Sequence, residues 1–221
     1  MPDDPSWRAV DLLFGELLIG DDLFEEVVAH SLREGLPPIH VSAPQGRFLH
    51  ILVRAIGARR VLEIGTLGGY SSGWIASALP DDGRLYTLEF SERHARVARE
   101  NLDRLGIGGL VEITVGPALD SLGAMISRDD APFEFIFIDA NKEQYPEYFE
   151  RALELSQSGT LIVADNVVRS GEVVNQPSSS PETEGVLSML ALMGSSSRVV
   201  ATAIQTVGEK GYDGFALGYV I

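Results

Sequence analysis

The 221-residue chain contains no cysteine. That excludes a disulfide framework, a thiolate nucleophile and any cysteine-ligated zinc or iron–sulfur centre, and it fits a reducing compartment. Basic residues are also few: 17 Lys and Arg stand against 32 Asp and Glu, a formal net charge of −15. A chain this acidic, without a long Lys/Arg cluster, argues against gripping nucleic acid by phosphate neutralisation. No apolar run approaches the roughly 20 residues of a membrane span. Met1 to Trp7 has no basic stretch leading into an apolar one, so no signal peptide is expected. The four histidines, His30, His40, His50 and His94, show no metal-ligand spacing and read as ordinary surface or helix residues. What is present is ordinary globular composition, 45% hydrophobic and 22% charged, in a chain long enough to bury a substantial core. A cytoplasmic protein is expected.

Leu12, Leu13, Leu17 and Leu18, then Leu23, Val27, Val28 and Leu32, recur at helical spacing. Asp21 and Asp22 are candidate caps for the second segment. A third helix is expected over 43–56. Residues 1–57 therefore read as a helical extension, a lid or a dimer contact, joined to a core over 58–221 in a single domain. In the core, apolar strands at 60–64, 84–89, 111–115, 133–138 and 159–164 alternate with helices at 71–79, 92–105, 118–126 and 145–155. Such alternation predicts right-handed βαβ units and a parallel sheet covered on both faces. A loop at 177–181 and a helix over 182–193 follow. Two strands, 198–207 and 214–220, then form an antiparallel hairpin across 208–213. The fold class is α/β, Rossmann-like and mostly parallel, with an antiparallel last strand.

The stretch Val61-Leu62-Glu63-Ile64-Gly65-Thr66-Leu67-Gly68-Gly69-Tyr70-Ser71 runs from a strand through a Gly-rich turn into a helix. The spacing G-x-x-G-G differs from the G-x-G-x-x-G of dinucleotide sites. Glu63, just before the turn, would repel a pyrophosphate but suits a cationic amino acid. Glu89 ends the next strand, where a carboxylate can accept both hydroxyls of a ribose. S-adenosylmethionine is a nucleoside carrying both a sulfonium and an ammonium, and it matches this pair. The same residues also read as a ligand-free turn with Glu89 on the surface. Gly116-Pro117-Ala118-Leu119 follows the third strand; its helix-start amides could meet an adenine edge, or it is a simple helix entry.

Two further strands end in acidic residues, at Asp139-Ala140-Asn141-Lys142 and at Asp165-Asn166. Open α/β sheets bind ligands at this edge. Asp139, Asp165 and Asn166 offer three hard oxygens, a set that suits magnesium rather than zinc. Read separately, Asp139 is also a helix cap and Asp165-Asn166 a turn. Lys142 reads either as a solvated loop lysine or, beside a metal and a buried hydroxyl, as a general base.

Together these motifs resemble the cation-dependent, S-adenosylmethionine-dependent O-methyltransferases. These are the caffeoyl-CoA and catechol O-methyltransferase-like group, in its small bacterial branch. The resemblance covers roughly Pro38 to Ile221 and includes the late segment Thr206-Val207-Gly208, Gly211 and Asp213-Gly214-Phe215. It implies a seven-stranded sheet with the last strand inserted antiparallel. It implies that Val41, Glu63, Gly65, Thr66, Ser71, Glu89, Ala118 and Asp139 bind S-adenosylmethionine. Asp139, Asp165 and Asn166 would hold Mg2+, or Mn2+ or Ca2+. Lys142 would be base and substrate contact, and Ser170 a second substrate contact. The family commonly has Asp-Ala-Asp-Lys where this chain has Asn141. The implied reaction is methylation of a small catechol-like hydroxyl by a homodimer. Methylation of a hydroxylated tRNA base and a non-catalytic nucleotide-binding role are the alternatives, and the charge of −15 disfavours the first.

Overall fold

The computed structural model describes residues 5–19, 24–130, 132–175, 177 and 180–221. Asp21, Asp22 and Leu23 lie outside the described residues. Helix α1 (Pro5–Phe14) continues into one π-helical turn, Gly15–Ile19, and is followed by α2 (Glu25–Arg33) and α3 (Ala43–Ala55). Ser42 caps α3, its hydroxyl accepting the Gln45 N–H at 3.3 Å, and Pro44 occupies the first turn, where no N–H is needed.

Alternation then begins with β1 (Arg60–Ile64), α4 (Tyr70–Ala76), β2 (Arg84–Glu89), α5 (Glu92–Arg104) and β3 (Val111–Val115). It continues through α6 (Ala118–Ser127), β4 (Phe133–Ile138), α7 (Tyr145–Glu154) and β5 (Ser156–Asp165). Helix α8 (Pro181–Ser195) leads into the hairpin of β6 (Val199–Gly208) and β7 (Gly211–Val220). Strand β5 starts earlier than the apolar pattern predicts because Ser156 already pairs with Phe133. The hairpin loop is also shorter than expected. Tyr212 and Asp213 pair with Val207 and Thr206, leaving Glu209-Lys210 as the turn.

The seven strands lie in the order β3-β2-β1-β4-β5-β7-β6. Neighbours from β3 to β5 are parallel, and β7 runs antiparallel between β5 and β6. The chain leaves β1 towards β2 on one side and later returns as β4 on the other. That reversal opens a crevice beyond the C-terminal ends of β1 and β4.

Strand β4 is buried on both faces, and its side chains divide by alternation. Phe135 and Phe137 join the core beneath α2, α3, α4 and α5, with Val27, Leu49, Trp74 and Leu102. Ile136 and Ile138 join the opposite core beneath α6, α7 and α8, with Leu122, Phe149 and Val186. The two cores clamp the central strands, so their ends are fixed points for chemistry. Strand β6 is the opposite case: Val200, Ile204 and Val207 are exposed on this edge of the sheet. Among the described residues, no helix is long and apolar enough to cross a membrane.

Candidate active site

The turn after β1 is pressed against the end of β4. Gly65 has φ +101°, and a Cβ there would lie 2.1 Å from the Asp139 carbonyl oxygen. Only glycine fits both demands. Asn101 of α5 holds the turn from behind, donating from its amide to the Gly68 carbonyl at 2.8 Å.

Glu63 lies behind this turn, not on a cavity wall. It is 0% exposed. Ser71 donates to one carboxylate oxygen at 2.6 Å, and Ser72 and Thr87 donate to the other, Thr87 at 2.7 Å. Burial pushes its pKa up to about 7, although the three hydroxyls favour the charged form. Glu63 therefore acts on the site through Ser71.

Glu89 does face the cavity. One oxygen accepts the N–H groups of Thr66 at 3.2 Å and Leu67 at 2.8 Å; the other accepts the Ser91 N–H at 3.0 Å. His94 Nδ1 lies 3.3 Å from that second oxygen. These bonds aim the carboxylate at the cavity and hold it in one orientation. The cavity itself has a volume of about 720 Å³ and is walled in part by Val41, Gly65, Thr66, Ser71, Glu89, Ala118, Asp139 and Lys142. Phe90, 78% exposed, stands at its rim.

The ends of β4 and β5 supply the acidic centre. Lys142 Nζ donates to Asp139 Oδ1 at 2.6 Å. Burial, the largest single effect, would lower the proton affinity of this ammonium, but Asp139 and Tyr145 together outweigh it and the net direction is up. Asp165 is 5% exposed, and its Oδ1 accepts the Asn166 N–H at 2.8 Å. Burial, then the negative charge of Asp139, pushes its pKa up to about 7. Tyr145 ties the two strand ends together. Its buried hydroxyl lies 3.2 Å from the Ile138 carbonyl and 2.9 Å from the Asp165 carbonyl, and donates to them. Asn141 caps the short turn that carries Lys142, accepting the Glu143 N–H at 3.4 Å.

Among the described residues no three His, Cys, Asp or Glu side chains cluster as metal ligands. The set is two carboxylates and one amide. A buried carboxylate, Asp165, beside the half-buried Asp139, with Lys142 as the neighbouring cation, fits a hard divalent cation with open positions for other oxygens.

A second cavity of about 550 Å³ adjoins the first. Asn166, His40, Val41 and Arg169 line both, while Asp139 lines only the first and Asp165 only the second. Ser170 is exposed and outside both linings. Its neighbour Arg169 is the residue of that turn on the cavity walls.

Of the four histidines, His30, His50 and His94 lie on helices as expected, and His40 lies in the loop between α2 and α3. His30 is buried and bonded to Asn101 at 2.8 Å. His40 packs against Tyr70, with ring centroids 5.0 Å apart, and burial followed by the charge of Lys210 lowers its pKa to about 4. It thus faces both cavities as a neutral imidazole at neutral pH. No local signal marks it, because its position depends on the loop from α2 to α3.

A doubly wound sheet with a nucleoside-sized cavity opening beside an acid, amide and lysine cluster defines a Rossmann-like transfer enzyme. The model of the O-methyltransferase family matches residues 19–217. A catechol O-methyltransferase of Niastella koreensis is 46% identical, over 97% of each chain. One from Mycobacterium tuberculosis is 45% identical, over 100% of this chain and 99% of the other. The crystal structure of an O-methyltransferase from Bacillus cereus in complex with SAH superposes with a TM-score of 0.96, at 48% identity over 98% of this chain and 99% of that one. The chain belongs to the O-methyltransferase family.

Proposed function

We propose that this chain transfers the methyl group of S-adenosylmethionine to a hydroxyl of a small ortho-diphenol, with the help of Mg2+ or a related divalent cation. The observation that carries the reading is the junction of the two cavities. Asp139, Lys142, Asp165 and Asn166 stand where a nucleoside-sized space meets a smaller one. The relatives named for catechol support the acceptor, and the SAH complex of the Bacillus cereus relative supports the cofactor.

Glu89 holds the ribose, Thr66, Ser71 and Ala118 line the nucleoside and amino-acid parts, and Val41 packs against them. Asp139, Asp165 and Asn166 would hold the cation, whose positive charge would lower the pKa of the acceptor hydroxyl. Lys142 takes the proton. As long as Asp139 pairs with it, Lys142 stays an ammonium. Were that carboxylate to turn to the cation, Lys142 would lose its charged partner and burial would weigh more towards the neutral amine. The acceptor oxygen bonds to the methyl carbon as the carbon–sulfur bond breaks, and the protein contributes mainly orientation.

The test is methyl transfer from labelled S-adenosylmethionine to a panel of ortho-diphenols, with Mg2+ and with EDTA. Mg2+-dependent transfer is expected. Equal transfer in EDTA would remove the cation from the reading; no transfer to any diphenol would remove the acceptor.

We also infer a homodimer. Strand β6 is an open edge, and Leu12, Leu13, Leu17 and Leu18 are exposed on the N-terminal helices. Sedimentation equilibrium is expected to give twice the chain mass; the mass of one chain would overturn it.

A further inference from the structure

Three aspartates and two cations line the second cavity, and among the described residues no ion pair joins the two sets. Each aspartate is already engaged. Asp213 Oδ1 accepts the N–H groups of Val168 at 3.0 Å, Arg169 at 3.1 Å and Gly214 at 2.9 Å. Asp11 Oδ2 accepts the Glu209 N–H at 2.9 Å. Asp165 belongs to the acidic centre.

Neither of its two cations makes a close ion pair among the described residues, although Arg169 feels the charge of Glu182 and Lys210 that of Glu209. Arg169, placed at the cavity wall by a positive φ of 53°, makes no ion pair or side-chain hydrogen bond with the described residues, and its Nε is buried without a partner. A guanidinium carries five donors, and buried donors are normally satisfied. Lys210, at the tip of the β6–β7 hairpin, makes one contact, 3.4 Å from the Pro38 carbonyl, and no ion pair with the described residues. The rest of the wall sets an aromatic pair, Phe48 and Phe215, with ring centroids 5.0 Å apart, beside polar Ser42, Gln45 and Thr206. The cavity therefore suits a flat apolar body that ends in an anionic oxygen group.

We propose that Arg169 and Lys210 form a carboxylate-reading end of the acceptor cavity, so that the preferred acceptors are ortho-diphenols bearing a carboxylate. This rests on the acceptor reading given above. Charge-assisted hydrogen bonds from Arg to a carboxylate are among the stronger polar contacts, and an acceptor group would satisfy donors that now lack one. A diphenol carrying an amine would leave both cations without a partner.

The experiment compares three acceptors: 3,4-dihydroxybenzoate, its methyl ester and 3,4-dihydroxyphenethylamine. It measures kcat/KM, and calorimetric affinity in the presence of Mg2+ and SAH. Wild type is expected to favour the carboxylate over the ester by about ten-fold or more, in both measurements. Lys210→Met and Arg169→Gln should each bring that ratio towards one, and Arg169→Lys should restore part of it. A ratio near one in wild type, a preference for the amine, or a ratio that survives both substitutions would overturn the proposal. If all three diphenols are methylated alike, the carboxylate site alone falls. If none is methylated or bound, the acceptor reading falls with it.

Discussion

Two acidic sites lie at the ends of neighbouring strands, and the fold treats them in opposite ways. Glu63, on β1, is sealed in: three neutral hydroxyls satisfy it and neither cavity reaches it. Asp139 and Asp165, on β4 and β5, face the cavities, repel each other and share one cation, Lys142. Both sites have carboxyl groups held near a pKa of 7 by burial, so that value alone does not mark the reactive one. Access and the kind of partner do. Neutral donors around a closed carboxyl fasten a turn; a charged donor beside an open pair can be exchanged for another cation.

The sharpest way to break this contrast is to remove the exchangeable parts. Asp165→Ala should abolish Mg2+-dependent turnover and weaken Mn2+ binding, read by paramagnetic resonance, by at least about ten-fold. Unaltered Mn2+ binding would contradict the assignment. Lys142→Met should lower kcat by about 10²–10⁴-fold, the usual range for a positioned base, with SAH affinity near wild type by calorimetry. A kcat within two- or three-fold of wild type would refute the base.

Glu63→Gln tests the sealed site through stability. The ordinary value of 4.5 is raised to about 7 in the fold. The stabilisation from the protonated carboxyl is thus full below about 4.5 and is lost as pH rises through about 7, a loss on the order of 3 kcal/mol. Relative to wild type, the variant should melt higher at pH 8 than at pH 5. A difference in Tm that does not change with pH would sink this account.

Tyr145→Phe should have the smallest effect, about 1 kcal/mol of stability for the lost hydroxyl bonds. Because that hydroxyl ties the two acidic strand ends, Mn2+ affinity should fall while SAH affinity holds. Equal loss of both would make Tyr145 merely structural.

The sheet was readable in the sequence because β1 to β4 are short apolar runs separated by amphipathic helices, and both signals are local. The residues at the sheet's C-terminal edge were readable for the same reason, since a strand end tells where Asp139 and Asp165 must emerge. What depends on packing was not. The pattern puts Glu63 beside a ligand, but Ser71, Ser72 and Thr87, arriving from α4 and β2, close it off. Tyr212 and Asp213 sit among glycines that read as loop, yet backbone pairing with β6 extends the strand through them. Arg169 and Lys210 are unremarkable until β5 and the hairpin bring them to one cavity.

Asp11, near the start of the chain, bonds to Glu209, near its end, at the rim of the second cavity. A ribosome delivers these residues almost 200 positions apart. The nucleoside cavity is complete once β5 and its following turn, which bring Asn166 and Arg169, have emerged and folded. The neighbouring cavity has no far wall until the hairpin has been made and α1 has docked on it. The nascent chain therefore acquires the donor's place before the acceptor's, and a truncation that spares the former still deletes the latter.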